Sequence, residues 1–275
     1  MNTEKLHATL LGRRNFARQL GLASAGIAAF FGRMEAQSTI TDTDILTFAL
    51  NLEYLEAEFY TVATTGKTID QLSVTIAGSG NAGATTGGQL VSFQKNSSLL
   101  NSANQIAADE RAHVTLLQGA LRGAGVTPIA KPPINLNALG SGFESQEAFI
   151  TLARAFEDTG VSAYGGAAPL LQNKTYLGVA ARILATEAEH TANLRLHASL
   201  YQAPTKALDG ADSTPPPTGT QYFTTNSSGL TPVRTPGQVL YIVFGNAVNA
   251  SSGGFFPSGV NGNVNVSSAP ATANT

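Results

Sequence analysis

The sequence predicts an all-α fold: an up-down bundle of four helices with one long crossover, followed by a mostly irregular C-terminal extension carrying one short helix. Three observations predict it. Two Glu-x-x-His elements, Glu110–His113 and Glu187–His190, each fall in the middle of an apolar stripe of helical period. Each is preceded by a helical segment with an acid and a tyrosine seven residues on, Glu53 with Tyr60 and Glu157 with Tyr164. Between these halves lies a Pro- and Gly-bearing stretch, residues 124–144. At ~3.3 Å per extended residue it easily runs the length of a bundle. The chain therefore reads as two helical hairpins joined lengthwise.

The first helix is expected from Thr41 or Thr43, which can cap it, to Gly66. Asp42 and Asp44 suit its N-terminal dipole. Ile45, Phe48, Ala49, Leu52, Leu55, Phe59 and Val62 form its stripe. Glu53 and Glu56 border that stripe and Glu58 points elsewhere. Residues 66–90 are Gly-, Ser- and Thr-rich, too long for a tight hairpin. They either cover one end of the bundle or are mobile. The second helix starts at Gln89 or Ser97 and runs to Leu121, before Gly123 and Gly125. Its stripe includes Leu100, Ala103, Ala107, Glu110, His113 or Val114, and Leu117. Asp109 and Arg111 flank that face, in surface or ligand-supporting positions.

Ser145 is a good N-cap for the third helix, which carries Phe149, Ala153, Phe156, Glu157, Val161 and Tyr164 and ends or kinks near Pro169. Asp158 is one position round, where it either orients a ligand or faces water. The fourth helix, about Lys174 to Tyr201, sets Glu187 and His190 in line with Ala180, Ile183 and Leu194. His197 lies two turns beyond His190, a structural position more than a second site. The bundle is expected over 41–202 and the extension over 203–275. In the extension, Thr235-Pro-Gly-Gln238 is a capping-box pattern opening Val239–Phe244, which suits a short helix or a strand. Phe255 and Phe256 are positioned to pin the tail to the body.

Composition narrows the chemistry. Of 275 residues, 43% are apolar, enough for a sizeable core, and 12% are charged, about half the usual share. The net charge of −2 offers no basic footprint for nucleic acid or an anionic membrane. No internal run reaches the ~18 apolar residues of a membrane span. With no cysteine, any metal must bind through carboxylate and imidazole, which suits iron, manganese or zinc. Residues 1–36 read as an export signal of the twin-arginine type. Arg13-Arg14, then Phe16, precede the weakly apolar run Leu20–Phe31, with a cut after Ala36. That implies the bacterial periplasm or cell envelope. The same leader contains Glu4-x-x-His7, so the spacing alone is weak evidence for a site.

Burial makes the stronger argument. A charged Glu in a core stripe is costly unless paired or coordinated. Four acids and two imidazoles, Glu53, Glu110, His113, Glu157, Glu187 and His190, can hold two divalent ions, with Glu110 and Glu187 bridging them. For the first helix the reading favours Glu53 over Glu56 without closing the choice. Glu56, Tyr60 and Tyr164 are then supporting residues, the tyrosines bonding ligand carboxylates across the bundle.

These residues resemble the ferritin-like superfamily, most closely the ferritin-like proteins grouped with the desiccation-related proteins. The carriers are Leu50–Tyr60, Asp109–His113, Phe156–Tyr164, Glu187–His190, Arg234–Leu240 and Phe255–Gly262. The resemblance implies a ferritin-like bundle with the six ligand positions just named and two divalent metal ions, iron ahead of manganese. The resemblance supplies little about substrate. The leader and the metal ligands together lead to the expectation of an exported protein tied to oxidative stress, of ferroxidase, peroxidase or catalase type, with O2 or peroxide as substrate and a homodimer as a compatible assembly. The alternative is a non-catalytic stress or envelope scaffold on the same bundle. The Gly-rich connector and long tail depart from cage-forming ferritins.

Overall fold

The computed structural model describes residues 40–273; the leader assigned to 1–36 lies outside them. Among the described residues, five α-helices follow in order: α1 Asp42–Thr65, α2 Ser98–Gly123, α3 Gln146–Ala167, α4 Lys174–Leu200 and α5 Pro236–Val243. α1 packs chiefly on α2 and α3 on α4, and the two pairs meet across a shared interior. No helix among the described residues is long and apolar enough to cross a membrane.

Local chemistry sets the helix ends. Thr41 caps α1 in a capping box with Asp44, and Gly66 closes it at φ 70°. Ser97 accepts from the Leu100 N–H, so α2 starts there and not at Gln89. Ser145 caps α3, and Asn173 caps α4 by accepting from the N–H groups of Thr175 and Tyr176. Caps of this kind contribute ~0.5–2 kcal/mol each. Pro169 falls in a 3-10 turn, Ala168–Leu170, just past α3. The Thr235–Gln238 capping box opens a helix, which decides Val239–Val243 against a strand.

The first helix is buried on every side from Leu50 to Ala63, not along a single stripe. Its outer face is covered by the Gly-rich connector and the crossover, which pair through two short parallel strands, β1 Thr85–Thr86 and β2 Ile134–Asn135. Buried Lys131 lies 3.6 Å from the Glu58 carboxylate and donates to the Gly83 carbonyl and the Thr85 hydroxyl. Glu58 also accepts from the Ile69 N–H. The connector thus lies along the flank of α1, and the acid that points away from the stripe is paired there instead of solvated.

The C-terminal extension is tied down at several points. Asn261 exchanges two hydrogen bonds of 2.9 Å with Asn51 of α1 and donates to the carbonyls of Asn81 and Ala130. Phe255 packs edge-on against Phe156 of α3, within an aromatic cluster that includes Phe59 and Phe149. Asp158 neither orients a ligand nor faces water. Arg154 reaches it at 2.5 Å and Arg195 at 2.8 Å, and these two buried arginines also bind Asp212 and the Ser213 carbonyl of the extension. One helical position separates Asp158 from Glu157, enough to turn it from the interior to this seam.

Candidate metal centre

All four bundle helices send acids into the shared interior. Glu53 comes from α1, Glu110 and His113 from α2, Glu157 from α3, and Glu187 and His190 from α4. The four carboxylates are 0–1% exposed, and the two imidazoles are buried. They form two donor groups: Glu53, Glu110, His113 and Glu187, and Glu110, Glu157, Glu187 and His190. Each group has its ligating atoms within 4.8 Å of one another, and Glu110 and Glu187 belong to both.

The imidazoles aim their Nδ1 atoms inward. His113 Nδ1 lies 3.2 Å from Glu53, 3.4 Å from Glu110 and 3.5 Å from Glu187. His190 Nδ1 lies 3.3 Å from Glu110 and 3.2 Å from Glu157. Donors held about 2.0–2.2 Å from one cation are separated by about 3 Å or slightly more, so these spacings suit a common ion. One oxygen each of Glu53 and Glu157, both oxygens of Glu110 and of Glu187, and His113 Nδ1 are buried without a hydrogen-bond partner. Unpaired buried carboxylate oxygens are costly, and this donor set is compatible with a divalent cation, which can satisfy several of them at once. Oxygen-rich sites with imidazole and no thiolate suit iron or manganese.

The electrostatics carry the same demand. Burial, then the charges of Glu110, Glu157, Glu56 and Glu53, push the Glu187 carboxyl well above the usual range. Glu56 is raised in the same way by burial and by Glu110, Glu157 and Glu53. Burial alone would lower the imidazoles, but Glu53 and Glu110 around His113, and Glu110 and Glu157 around His190, raise both to about 11. Burial also opposes the Glu53 carboxylate, yet facing His113 holds it below the usual range. As imidazolium ions, His113 and His190 offset part of the negative charge of the buried carboxylates.

The remaining expected residues are placed around these groups. The Tyr164 hydroxyl on α3 donates to Glu53 on α1. The Tyr60 hydroxyl on α1 donates at 3.4 Å to the Ala153 carbonyl and faces Glu157 on α3, which together with burial raises it well above its ordinary value. Glu56 is buried beside both donor groups without being a member of either. Asp109 accepts from or pairs with His190 Nε2 at 3.3 Å, an arrangement that orients the ring with Nδ1 inward. Arg111 donates to the Thr61 hydroxyl. His197 packs edge-on against Tyr201 and joins no donor group.

Gly160 was not singled out by motif. A Cβ there would sit 2.5 Å from Glu187 Oε2 and 3.4 Å from Glu56 Oε1, so its missing side chain makes room for the Glu187 carboxylate, which belongs to both donor groups. The available signal was a glycine in a helix interior, which costs about 1 kcal/mol relative to alanine and calls for a packing reason.

Comparison with known proteins accords with this architecture. A family model described as a ferritin-like domain matches residues 41–200. The desiccation-related protein PCC13-62 of Craterostigma plantagineum is 28% identical over 222 residues, covering 70% of this chain and 67% of its own.

Proposed function

This chain belongs to the ferritin-like domain family, and on that premise we propose that it is an exported dinuclear metal–carboxylate protein of oxidative or desiccation stress. Iron is the first expectation and manganese the second. One observation carries the reading: buried, unpartnered carboxylate oxygens from four helices converge with two inward Nδ1 atoms in two groups that share Glu110 and Glu187. Glu53 and His113 would complete one ion's ligands, and Glu157 and His190 the other's. Bound iron or manganese supplies one-electron redox chemistry toward O2 or peroxide. The protein's own part is to hold the carboxylates fixed, through Tyr164 on Glu53 and Asp109 on His190, and to exclude bulk water.

Export by the twin-arginine route is part of the proposal and rests on Arg13-Arg14 and the weakly apolar run that follows. The stress assignment draws on the printed name of the Craterostigma relative. The deciding experiment is elemental analysis of protein purified from its native compartment, followed by iron addition under air. Two ions per chain and catalysed iron oxidation are expected. Metal-free protein whose melting temperature is unmoved by iron, manganese or zinc would instead favour the non-catalytic scaffold.

A further inference from the structure

A narrow apolar cavity of about 30 Å³ adjoins the carboxylate cluster. Its outer rim includes Ala49, Tyr176 and Val179, all half-buried. Its walls include Leu52, Ala163 and Ile183. Its inner end is formed by Glu56, Gly160 and Tyr164, and Gly160 is the residue that touches the space beside Glu187. The cavity therefore connects the neighbourhood of a shared ligand to the partly exposed start of α4.

We propose that this cavity is a dioxygen passage to the carboxylate centre. The inference rests on the metal reading above and chooses between its two oxidants. About 10–15 Å³ of such space seats one water-sized body, so this cavity has room for about two, the size of a diatomic molecule. Water and hydrogen peroxide need several polar partners, and a site without them does not retain either. The polar side chains of the lining are those of Glu56, Tyr164 and Tyr176. The Tyr164 hydroxyl is already committed to Glu53, and Tyr176 stands at the half-buried outer rim, away from the inner end. Dioxygen has no hydrogen bonds to lose and partitions into apolar space.

The test uses the full chain, metal-free, with methyl-labelled Leu and Ile under a pressure of dissolved dioxygen. Paramagnetic relaxation should be strongest at Leu52 and Ile183, well above the similarly buried Leu152 and Ile129, which lie outside the cavity lining. It should be lost at those two positions in Ala163→Leu, or in Ala49→Leu at the half-exposed rim if the first variant fails to fold. Equal relaxation at all four positions, or ordered water filling the cavity in a crystal, overturns the proposal. Elemental analysis of a metal-loaded sample keeps the two readings apart. Dioxygen seated in a protein that binds no metal sinks the metal centre alone, and a metal-binding protein with no dioxygen at Leu52 sinks the passage alone.

Discussion

Gly160 on α3 faces Glu187 on α4 so closely that a Cβ would lie 2.5 Å from the Glu187 carboxylate oxygen. A glycine thus sets the position of an acid shared by both donor groups.

Gly160→Ala should therefore separate stability from metal binding. Alanine is favoured by about 1 kcal/mol in a helix interior, which offsets much of the cost of moving the end of Glu187. Helical content should persist while metal bound per chain falls. A variant that binds metal as wild type does would show that Glu187 is not held by this contact.

The shared acids should matter more than the unshared ones. Glu110→Gln or Glu187→Gln should remove both ions, whereas Glu53→Gln or Glu157→Gln should weaken one each, as read by metal titration. Because neighbouring carboxylates and burial raise Glu187, Glu187→Gln should also raise the melting temperature of the metal-free protein. An unchanged or lower value would argue against repulsion within the cluster.

Asp109 supports His190 from outside, at 3.3 Å from Nε2. Loss of such a partner typically lowers metal affinity by about 10–100-fold. Asp109→Ala should show that loss with the fold intact, and Asp109→Glu should partly restore it. Affinity equal to wild type would reduce the contact to a surface pair.

The imidazoles predict a pH dependence. Their folded values, raised to about 11 from an ordinary 6.5, mean the unfolded chain releases those protons first. Their contribution to metal-free stability is fully present below pH 6.5 and is lost as pH rises towards 11. Metal must displace the same protons, so apparent affinity should rise with pH, by up to about tenfold per unit for each proton released. Calorimetric titration in buffers of different ionisation enthalpy counts them; no proton release would contradict the protonated state of the cluster.

The extension should be held by charge as well as by rings. Asp212→Ala removes the acid by which the extension binds Arg154, a residue 0% exposed. Breaking a buried pair from one side costs about 3–5 kcal/mol. Limited proteolysis should then cut within residues 203–235 while the helices survive. Resistance equal to wild type would mean that Asn261 and the phenylalanines suffice.

By itself the sequence determined the four long helices, the Ser145 cap of the third, and the face on which each Glu-x-x-His lies, because a 3.6-residue period and a capping side chain are local properties. It left Thr41 or Thr43 and Gln89 or Ser97 open and did not mark Asn173. It also marked the fold family, through motifs spread over residues 41–262. Only the tertiary structure decided between Glu53 and Glu56 as the acid nearer His113. Three residues apart, they share one side of α1, and depth relative to α2 separates them. Tertiary structure also decided that Glu58 meets Lys131, that Asp158 meets two arginines, and that Gly160 gives way to Glu187. Each depends on which segment, distant in the chain, packs against the helix, and periodicity carries no record of that partner.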